Sequence, residues 1–523
     1  MNKVAIKCLI KGDPSNTCGK NQTFYSNKAG FMFNQQKKMI FEKINSDEPV
    51  KINFKYVSED ILMLINSIIT RILGKRDLLY LLHSLITIMR ELVVNSLKAN
   101  AKRVFFEERG LDINDQAQYI KGMALFKEKI IGDFDFIKSD ILKSENSILF
   151  SVTPGENGII FTVKNSTPIH KSEQERINKR IAVAVQNDNF SDIYAHLEDD
   201  SEGAGLGIAL IIMFLKSMGI PHTAFKLKSD DKVTMASIEI PYTLHPPEII
   251  TKVKTRILYE IKGLPTFPEN VVELLTMCTS TDADINIIAG KIKLDVSLTS
   301  DVIKLANSAG FITMGKTDDI GKAIVKIGLK NLHSILLASN SRKILESRYS
   351  KFEEIWEHCG RVAFYAKSIA LKYGMHDIAE NAYITGLLHD IGKVILLAVD
   401  VNAVKQIAEI VRNRDIINSS VMEEIAIGIS HAEIGSLVAE KWNFPEYMAS
   451  TIKYHHSPLL IPEQFRDIAY TVYIANMICG IEKRNYYYYY IEEAALVRFG
   501  ISSEIDFAKL HEYLIAEYQK KPK

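Results

Sequence analysis

The feature that most constrains this chain is a polar doublet, His389-Asp390, which lies inside the apolar segment Gly386–Lys393. An imidazole offers a neutral nitrogen ligand and a neighbouring carboxylate offers charge, so the pair is a compact way to hold a divalent metal ion. A doublet alone also occurs by chance in many chains. The hypothesis of a metal site is strengthened by other histidines in the same half of the chain: His358, His431, His455 and His456.

Short motifs run in a fixed order through the same half of the chain. They are Leu264-Pro265, Ile303 to Ala309, Ala323 to Gly328, His431 to Gly435 and Trp442 to Pro445. On these motifs the segment from about Ile257 to Pro458 resembles an HDOD domain, a branch of the HD metal-dependent phosphohydrolase superfamily. The resemblance implies an all-helical fold. It does not by itself imply catalysis, since many relatives are signalling or scaffold modules.

The resemblance also implies a ligand set. HD phosphohydrolases usually use a His, the His-Asp doublet and a later Asp, and the first three fall on His358, His389 and Asp390. The last ligand is expected in the helix Ile468 to Ile481, where Asn476 stands in the place of the Asp. A neutral amide is a poorer ligand for a hard divalent cation than a carboxylate.

A second metal position is implied by the HD-GYP relatives, in which His431 and His455 would complete the site, although this chain has no Gly-Tyr-Pro motif. Iron, manganese and zinc are the candidate ions. The alternative is a vestigial site, in which His389 and Asp390 only form hydrogen bonds and cap helices.

Composition limits the class of protein. The 523 residues suggest two or three domains, and 64 Lys and Arg against 63 Asp and Glu give no argument for a nucleic-acid partner or an anionic membrane. No apolar run is expected to span a bilayer, and the N-terminus lacks the apolar core of a signal peptide. Five scattered cysteines without a CxxC motif predict reduced thiols and a cytoplasmic location.

A helical pattern begins near Ser58, and apolar residues recur at every third or fourth position from Leu78 to Leu92. Glu91 and Asn95 are four residues apart, so both side chains lie on one face of this helix, and Lys98 follows one turn later. A buried acid and amide stacked in this way could activate a water and hold a magnesium ion. The alternative is a solvated pair on an ordinary helix.

Three alternating glycines, Gly203, Gly205 and Gly207, open the apolar helix Ile208 to Met218. Glycines let the backbone approach a phosphate, and a helix N-terminus presents unpaired N–H groups to it. Two predicted strand pairs flank the glycines: Ile148 to Thr153 with Gly158 to Lys164, and Ala224 to Lys228 with Val233 to Ile240.

This order of elements resembles the GHKL ATPase domain of histidine kinases, gyrase and the MutL repair proteins, over residues 58–243 with an insert near 107–146. Glu91 to Asn95 matches its N-box and Gly203 to Gly207 its second glycine box. The resemblance implies that ATP binds with magnesium, that Asn95 ligates the magnesium and that Glu91 orients the attacking water. The three glycines would line the phosphates, with Lys98 nearby.

Two departures from that family are visible. The Asp that accepts a hydrogen bond from the adenine amino group is replaced by Asn165, and no DxGxG follows it. An amide oxygen can accept the same bond but brings no charge. No separate phosphoacceptor helix pair is present, and His83 lies only eight residues before Glu91. A plain histidine kinase is therefore rejected.

The predicted fold class is α+β, with a GHKL-type α/β sandwich followed by an all-α HDOD domain. The predicted divisions are 1–57 without assignment, 58–247 GHKL, 248–460 HDOD and 461–523 a C-terminal helical extension, with a boundary at His245-Pro246-Pro247. The predicted function is a bacterial-type signalling protein that couples nucleotide binding to a helical output module and contacts protein partners. The alternatives are a metal-dependent phosphohydrolase acting on a nucleotide or cyclic dinucleotide, and a catalytically dead scaffold.

Overall fold

A computed structural model describes residues 37, 39–129, 134–187, 193, 206–244, 251–307, 316–349, 352–413, 419–484 and 488–520. Every strand in these ranges lies before residue 245, and only helices and turns follow residue 251. The chain therefore combines a small antiparallel sheet in the N-terminal half with an all-α C-terminal half. The predicted boundary at His245-Pro246-Pro247 lies outside the described residues.

The sheet has five antiparallel strands in the order β1-β2-β3-β5-β4. Their bounds are β1 Val50–Phe54, β2 Ile148–Pro154, β3 Gly158–Asn165, β4 Phe225–Ser229 and β5 Thr234–Pro241. Both predicted strand pairs are confirmed, to within one residue at each end. The edge strand β1 ends at Phe54, and the chain then turns to the first helix.

One face of the sheet is covered by helices. The helices of this half are α1 Glu59–Lys75, α2 Leu82–Glu108, α3 Gln116–Lys129, α4 Lys138–Lys143, α5 Lys171–Gln186 and α6 Leu206–Ser217. Along β3 the buried residues Ile159, Phe161 and Val163 alternate with partly exposed ones, and α2 packs on this strand. Alternate burial of this kind is what a sheet shows when only one face is packed.

Helix α2 is the central helix of the N-terminal half. Leu82, Leu85, Met89 and Leu92 are buried, so the stripe predicted from their spacing is confirmed. The helix begins directly after a 3-10 turn at Leu79–Leu81 and continues through residue 108, which places Glu91 and Asn95 near its middle.

The C-terminal half is a bundle of sixteen described helices. They are α7 Lys252–Lys262, α8 Glu269–Thr279, α9 Ile285–Lys293, α10 Val296–Ala306, α11 Ile320–Ile327, α12 Leu329–Arg348, α13 Glu353–Lys372, α14 Ala379–Leu388, α15 Ile391–Val399, α16 Val401–Asn413, α17 Ser419–Ile427, α18 His431–Lys441, α19 Glu446–Tyr454, α20 Arg466–Arg484, α21 Glu493–Arg498 and α22 Glu504–Gln519. Helix α13 packs against α14 and α20, and α15 packs against α18. These contacts bring the ends of distant helices to one region.

The two halves share apolar packing. A single core cluster contains residues of the sheet, such as Phe161, together with residues of the helical half, such as Ile434. Leu62 of α1 also packs in a second cluster that is otherwise formed by the helical half. The Arg90 guanidinium lies 4.9 Å from the centre of the Tyr490 ring and adds a contact between the halves.

One stretch of the described chain, Ala379–Val399, is long and apolar enough to cross a membrane. The expectation that no run reaches this length is therefore wrong by length and composition. The most apolar part of the stretch is 72% buried inside the protein, and it contains the His-Asp doublet. Burial of this extent is typical of a core helix.

Candidate functional site

The site is centred on the turn between α14 and α15, where the apolar segment is interrupted by His389 and Asp390. Both side chains are buried, with 0% and 1% of their surface exposed. Gly392 follows on α15, and a Cβ there would lie 2.0 Å from the carbonyl oxygen of His431. Only glycine allows this approach of α15 to the start of α18, which brings His431 to the doublet.

The Asp390 carboxylate has two groups of histidines around it. Its Oδ2 atom lies 3.5 Å from Nε2 of His358 and 3.5 Å from Nε2 of His389. Its Oδ1 atom lies 3.3 Å from Nε2 of His431 and 3.5 Å from Nε2 of His455. We call His358, His389 and Asp390 the first cluster, and Asp390, His431, His455 and His456 the second cluster.

Three imidazoles are held by their Nδ1 atoms. Nδ1 of His389 lies 2.8 Å from the Gly386 carbonyl oxygen, and Nδ1 of His455 lies 2.7 Å from the Ile452 carbonyl oxygen. A carbonyl oxygen only accepts, so each Nδ1 carries the proton and each neutral ring keeps an unprotonated Nε2. Nε2 is the atom that faces Asp390, which is the arrangement that metal-binding histidines use.

His431 is held by a carboxylate. One Glu423 oxygen accepts hydrogen bonds from the His431 backbone N–H and from Nδ1, both at 2.7 Å. Burial lowers the pKa of His431, but the Glu423 and Asp390 carboxylates together outweigh burial and the net shift is upward. Glu423 belongs to α17 and is itself buried. It therefore fixes the ring that stands at the centre of the second cluster.

The imidazole nitrogens of the second cluster are in direct contact. Nε2 of His431 lies 3.3 Å from Nε2 of His455 and 3.1 Å from Nε2 of His456. Burial lowers the pKa of His455 and holds that of His456 well below the usual range, so both rings are neutral. Nδ1 of His431 and Nδ1 of His455 each carry a proton, so the facing Nε2 atoms of these two rings repel one another unless a proton or a cation lies between them. A divalent cation fits this donor set.

The first cluster has a different environment. Nε2 of His358 lies 3.1 Å from Oδ1 of Asn476, so Asn476 lies where the sequence placed it. The Lys393 ammonium donates a hydrogen bond of 2.7 Å to Asp390 Oδ2. Nε2 of His389 is buried and has no hydrogen-bond partner among the described residues. An unpaired buried nitrogen next to a carboxylate also fits a metal ligand.

The carboxylate of Asp390 remains charged. Burial raises the pKa of Asp390, but Lys393 and the surrounding imidazoles outweigh burial and hold it well below the usual range. Burial holds the pKa of His389 well below its usual range. One charged oxygen ligand and several neutral nitrogens are therefore in place at neutral pH.

All five residues predicted as metal ligands lie in this one region. Three residues that contact the predicted ligands were given no role by the sequence: Lys393, Glu423 and His456, although His456 was named beside His455. His456 adjoins His455 in the sequence, and Lys393 follows Asp390 by three residues on a helix, so both had a signal in their spacing. Glu423 had none, because it reaches His431 across the turn between α17 and α18.

The second predicted site lies on the helix-covered face of the sheet. Asn95 Nδ2 donates a hydrogen bond of 3.1 Å to Glu91 Oε1, and both residues are half-buried on α2. A Cβ at Gly207 would lie 1.8 Å from the same Glu91 oxygen, so the first turn of α6 packs directly on Glu91. Lys98 lies one turn beyond Asn95 and is half-buried. Gly203 and Gly205 lie outside the described residues.

Asn165 is buried at the end of β3. Its amide nitrogen donates to the Thr167 hydroxyl at 2.5 Å, and that hydroxyl donates to Asn100 Oδ1 of α2 at 3.2 Å. Asn165 is thus tied to the helix that carries Glu91 and Asn95. This short chain of hydrogen bonds ends at Asn100, five residues after Asn95 on α2.

Comparison with known proteins identifies the helical half. An HDOD domain profile matches residues 264–458, which confirms the predicted domain. An uncharacterised protein of Treponema pallidum (strain Nichols) is 29% identical over 417 residues, covering 79% of this chain and 80% of that protein. The aligned region is longer than the stretch from residue 264 to the C-terminus, so it includes part of the sheet-containing half.

Solved structures give more distant matches. A crystal structure of an HDOD domain protein with unknown function from Geobacter sulfurreducens is 23% identical, with a TM-score of 0.39, and covers 51% of this chain and 92% of that chain. A protein from Shewanella amazonensis SB2B, provisionally named a phosphohydrolase, is 24% identical with a TM-score of 0.38 and covers 50% and 93%. The GHKL-type domain of the N-terminal half stays a prediction.

Proposed function

We propose that this protein, which contains an HDOD domain between residues 264 and 458, is a signal-transduction protein whose helical half holds divalent metal on both sides of Asp390. One observation carries the proposal. Five histidines and one carboxylate meet in a largely buried region, with their Nε2 and Oδ atoms directed at each other. Buried imidazole nitrogens that face one another in this way are costly to keep together unless a proton or a cation lies between them.

The residues divide into two ligand sets that share Asp390. His358 and His389 would hold one ion with Oδ2, and His431, His455 and His456 would hold another with Oδ1. Nitrogen-rich sites of this kind suit iron or zinc better than magnesium or calcium, and the shared carboxylate also admits manganese. Glu423 and the carbonyls of Gly386 and Ile452 orient the rings before the ion arrives.

Metal analysis tests this proposal. Purified protein is dialysed against iron, manganese or zinc and then against metal-free buffer, and the retained metal is counted. We expect at least one ion per chain, and its loss in the His431→Ala/His455→Ala double variant. His222→Ala, an exposed histidine of the sheet half, is the matched control. Wild-type protein that retains no metal would contradict the proposal and leave a structural scaffold.

A metal-dependent phosphohydrolase is the second candidate. The observation that favours it is access: 17% of the His358 side chain and 23% of the Lys393 side chain are exposed, beside a buried carboxylate. A bound divalent ion lowers the pKa of a water and polarises a phosphate oxygen. The partly exposed Lys393 ammonium would attract the phosphate of a nucleotide or cyclic dinucleotide.

Phosphate release from a panel of nucleotides and cyclic dinucleotides separates the two candidates. If the protein is a hydrolase, phosphate release should require bound metal. The Lys393→Met variant should then lose phosphate release but retain its metal. If metal-loaded protein releases phosphate from no member of the panel, the signalling function is favoured over the hydrolase.

We propose that the sheet half binds ATP with magnesium. The support is the contact of Gly207 with Glu91 and the Asn95–Glu91 hydrogen bond, which bring the N-box and the end of the glycine run together. In this proposal Asn95 ligates magnesium, Glu91 orients a water, and the glycine run with Lys98 lies at the phosphates. The amide oxygen of Asn165 would accept a hydrogen bond from the adenine amino group.

Calorimetry with magnesium and ATP tests the sheet-side site. Weak binding is expected, and Asn165→Asp should tighten it because a carboxylate is a stronger acceptor than an amide. Glu91→Ala should leave affinity within a few fold and remove any phosphate release. Absence of heat at millimolar ATP would contradict this part of the proposal.

A cytoplasmic location and protein partners in a signalling pathway belong to the same proposal.

A further inference from the structure

The sheet of the N-terminal half has an open edge at strand β4. Among the described strands, β4 lies last in the sheet and pairs only with β5. The free side of an edge strand presents unpaired backbone N–H and C=O groups, to which a further strand can add. Addition of an extended segment to such an edge is a recurring mode of peptide recognition.

A cavity of about 330 Å³ lies between β4 and helix α5. Its apolar wall comes from α5, α6 and β4 and consists of Ile181, Ile212, Phe225 and Leu227. Phe225 and Leu227 are alternate residues of β4, and they pair with the buried residues Ile238 and Ala236 of β5. Because side chains alternate between the two faces of a sheet, they point to the helix-covered face. A side chain on that face of an added strand would enter the same cavity.

The rim of the cavity is polar and contains no Asp, Glu, Lys or Arg. It is formed by Gln174, Asn178, His222 and Thr223. Nε2 of Gln174 donates a hydrogen bond of 3.0 Å to Oδ1 of Asn178, which leaves the Gln174 oxygen as an acceptor and the Asn178 nitrogen as a donor. An added strand has a second edge of backbone N–H and C=O groups, and these two amides offer partners for it.

The solvent face of the same edge is basic. Lys226 and Lys228 are exposed on β4, and Lys164 of β3 lies in the same cross-strand row as Lys228. Strands β3, β4 and β5 contain one acid, Glu239. Lysines on an edge strand can also prevent pairing, but an edge protected in this way needs no cavity beside it. Acidic side chains at alternate positions of an added strand would lie next to Lys226 and Lys228.

We propose that β4 is a docking edge for an extended segment of a partner protein in which acidic residues alternate with aliphatic ones. The segment adds to the sheet beyond β4, an aliphatic side chain fills the cavity, and acidic side chains pair with Lys226 and Lys228. The inference gives a surface to the protein partner of the proposed function, and it requires neither metal nor nucleotide to be bound.

The test uses full-length protein and two labelled synthetic peptides, one in which valine alternates with glutamate and one in which lysine replaces the glutamate. Binding is measured by fluorescence anisotropy, and we expect the acidic peptide to bind at least about tenfold more tightly. Lys226→Glu/Lys228→Glu should reverse this preference. Asn178→Trp, which fills the cavity from an exposed position, should abolish binding. Lys51→Glu, at an exposed lysine of the opposite edge strand β1, is the control and should change neither affinity.

The outcomes separate this inference from the metal proposal. Wild-type protein that binds neither peptide, or a preference that survives Lys226→Glu/Lys228→Glu, would overturn the inference and leave the metal count untouched. An acidic peptide methylated at alternate backbone nitrogens should lose binding, and equal affinity would overturn strand addition. A wild-type dimer that the same double variant dissociates in sedimentation would show that the edge pairs with a second copy of the chain, which would also overturn the inference.

Discussion

The two clusters around Asp390 use the same carboxylate but differ in what surrounds it. The second cluster has three imidazoles, and its central ring is fixed by the Glu423 carboxylate. The first cluster has two imidazoles, an amide at Asn476 and a competing ammonium at Lys393. The difference teaches that one shared ligand does not make two equal sites. We expect tight metal in the second cluster and exchangeable metal in the first.

The largest effect is expected from the shared carboxylate. Asp390→Asn keeps the shape of the side chain and removes the one charged ligand of both clusters, so metal affinity should fall by more than about 100-fold at both. Metal content measured by mass spectrometry checks this, with the exposed Asp377→Asn as control. Retention of one ion would show that a cluster binds metal through imidazoles alone.

A variant that weakens only the second cluster tests the difference in metal affinity between the two clusters. Glu423→Gln leaves a hydrogen-bond acceptor for His431 but removes the charge, and such a loss beyond the direct ligands costs about 10- to 100-fold in affinity. We expect this reduction for the tight metal alone. Titration with a competing chelator measures it, and Glu409→Gln, exposed on α16, is the matched control. An equal fall at both clusters would contradict the division of roles.

The smallest effect should come from strengthening the first cluster. Asn476→Asp places a carboxylate next to His358 and gives the first cluster a second charged ligand. We expect the metal affinity of the first cluster to rise by about tenfold, which is the size of effect that one added charge-assisted contact produces. The second ion per chain then survives dialysis. The exposed Asn402→Asp is the control, and an unchanged metal count would show that Asn476 is not a ligand position.

The fold could be predicted in large part from local patterns. The strand pairs β2/β3 and β4/β5 follow from alternation, and α2 follows from the spacing of Leu85, Met89 and Leu92. These patterns are local consequences of which face is buried. The membrane-length stretch Ala379–Val399 was missed because two polar residues interrupt it, and its burial depends on the packing of the other helices.

The candidate site was predictable where a motif carries it. The His-Asp doublet and the separated histidines pointed to the metal centre, and Asn476 lies beside His358 as expected. The contact of Glu423 with His431 could not be predicted, because it depends on how two helices meet. Such contacts are set by tertiary packing and leave no periodic trace in the sequence.

The central claim is that metal lies on both sides of Asp390 and is tighter on the side of His431. Anomalous scattering from crystals grown with a limiting amount of manganese tests it most directly. The account predicts a strong peak among His431, His455 and His456 next to Oδ1, and a weaker peak beside His358 and His389 next to Oδ2. A single peak on the His358 side, or no peak at either cluster, would contradict it.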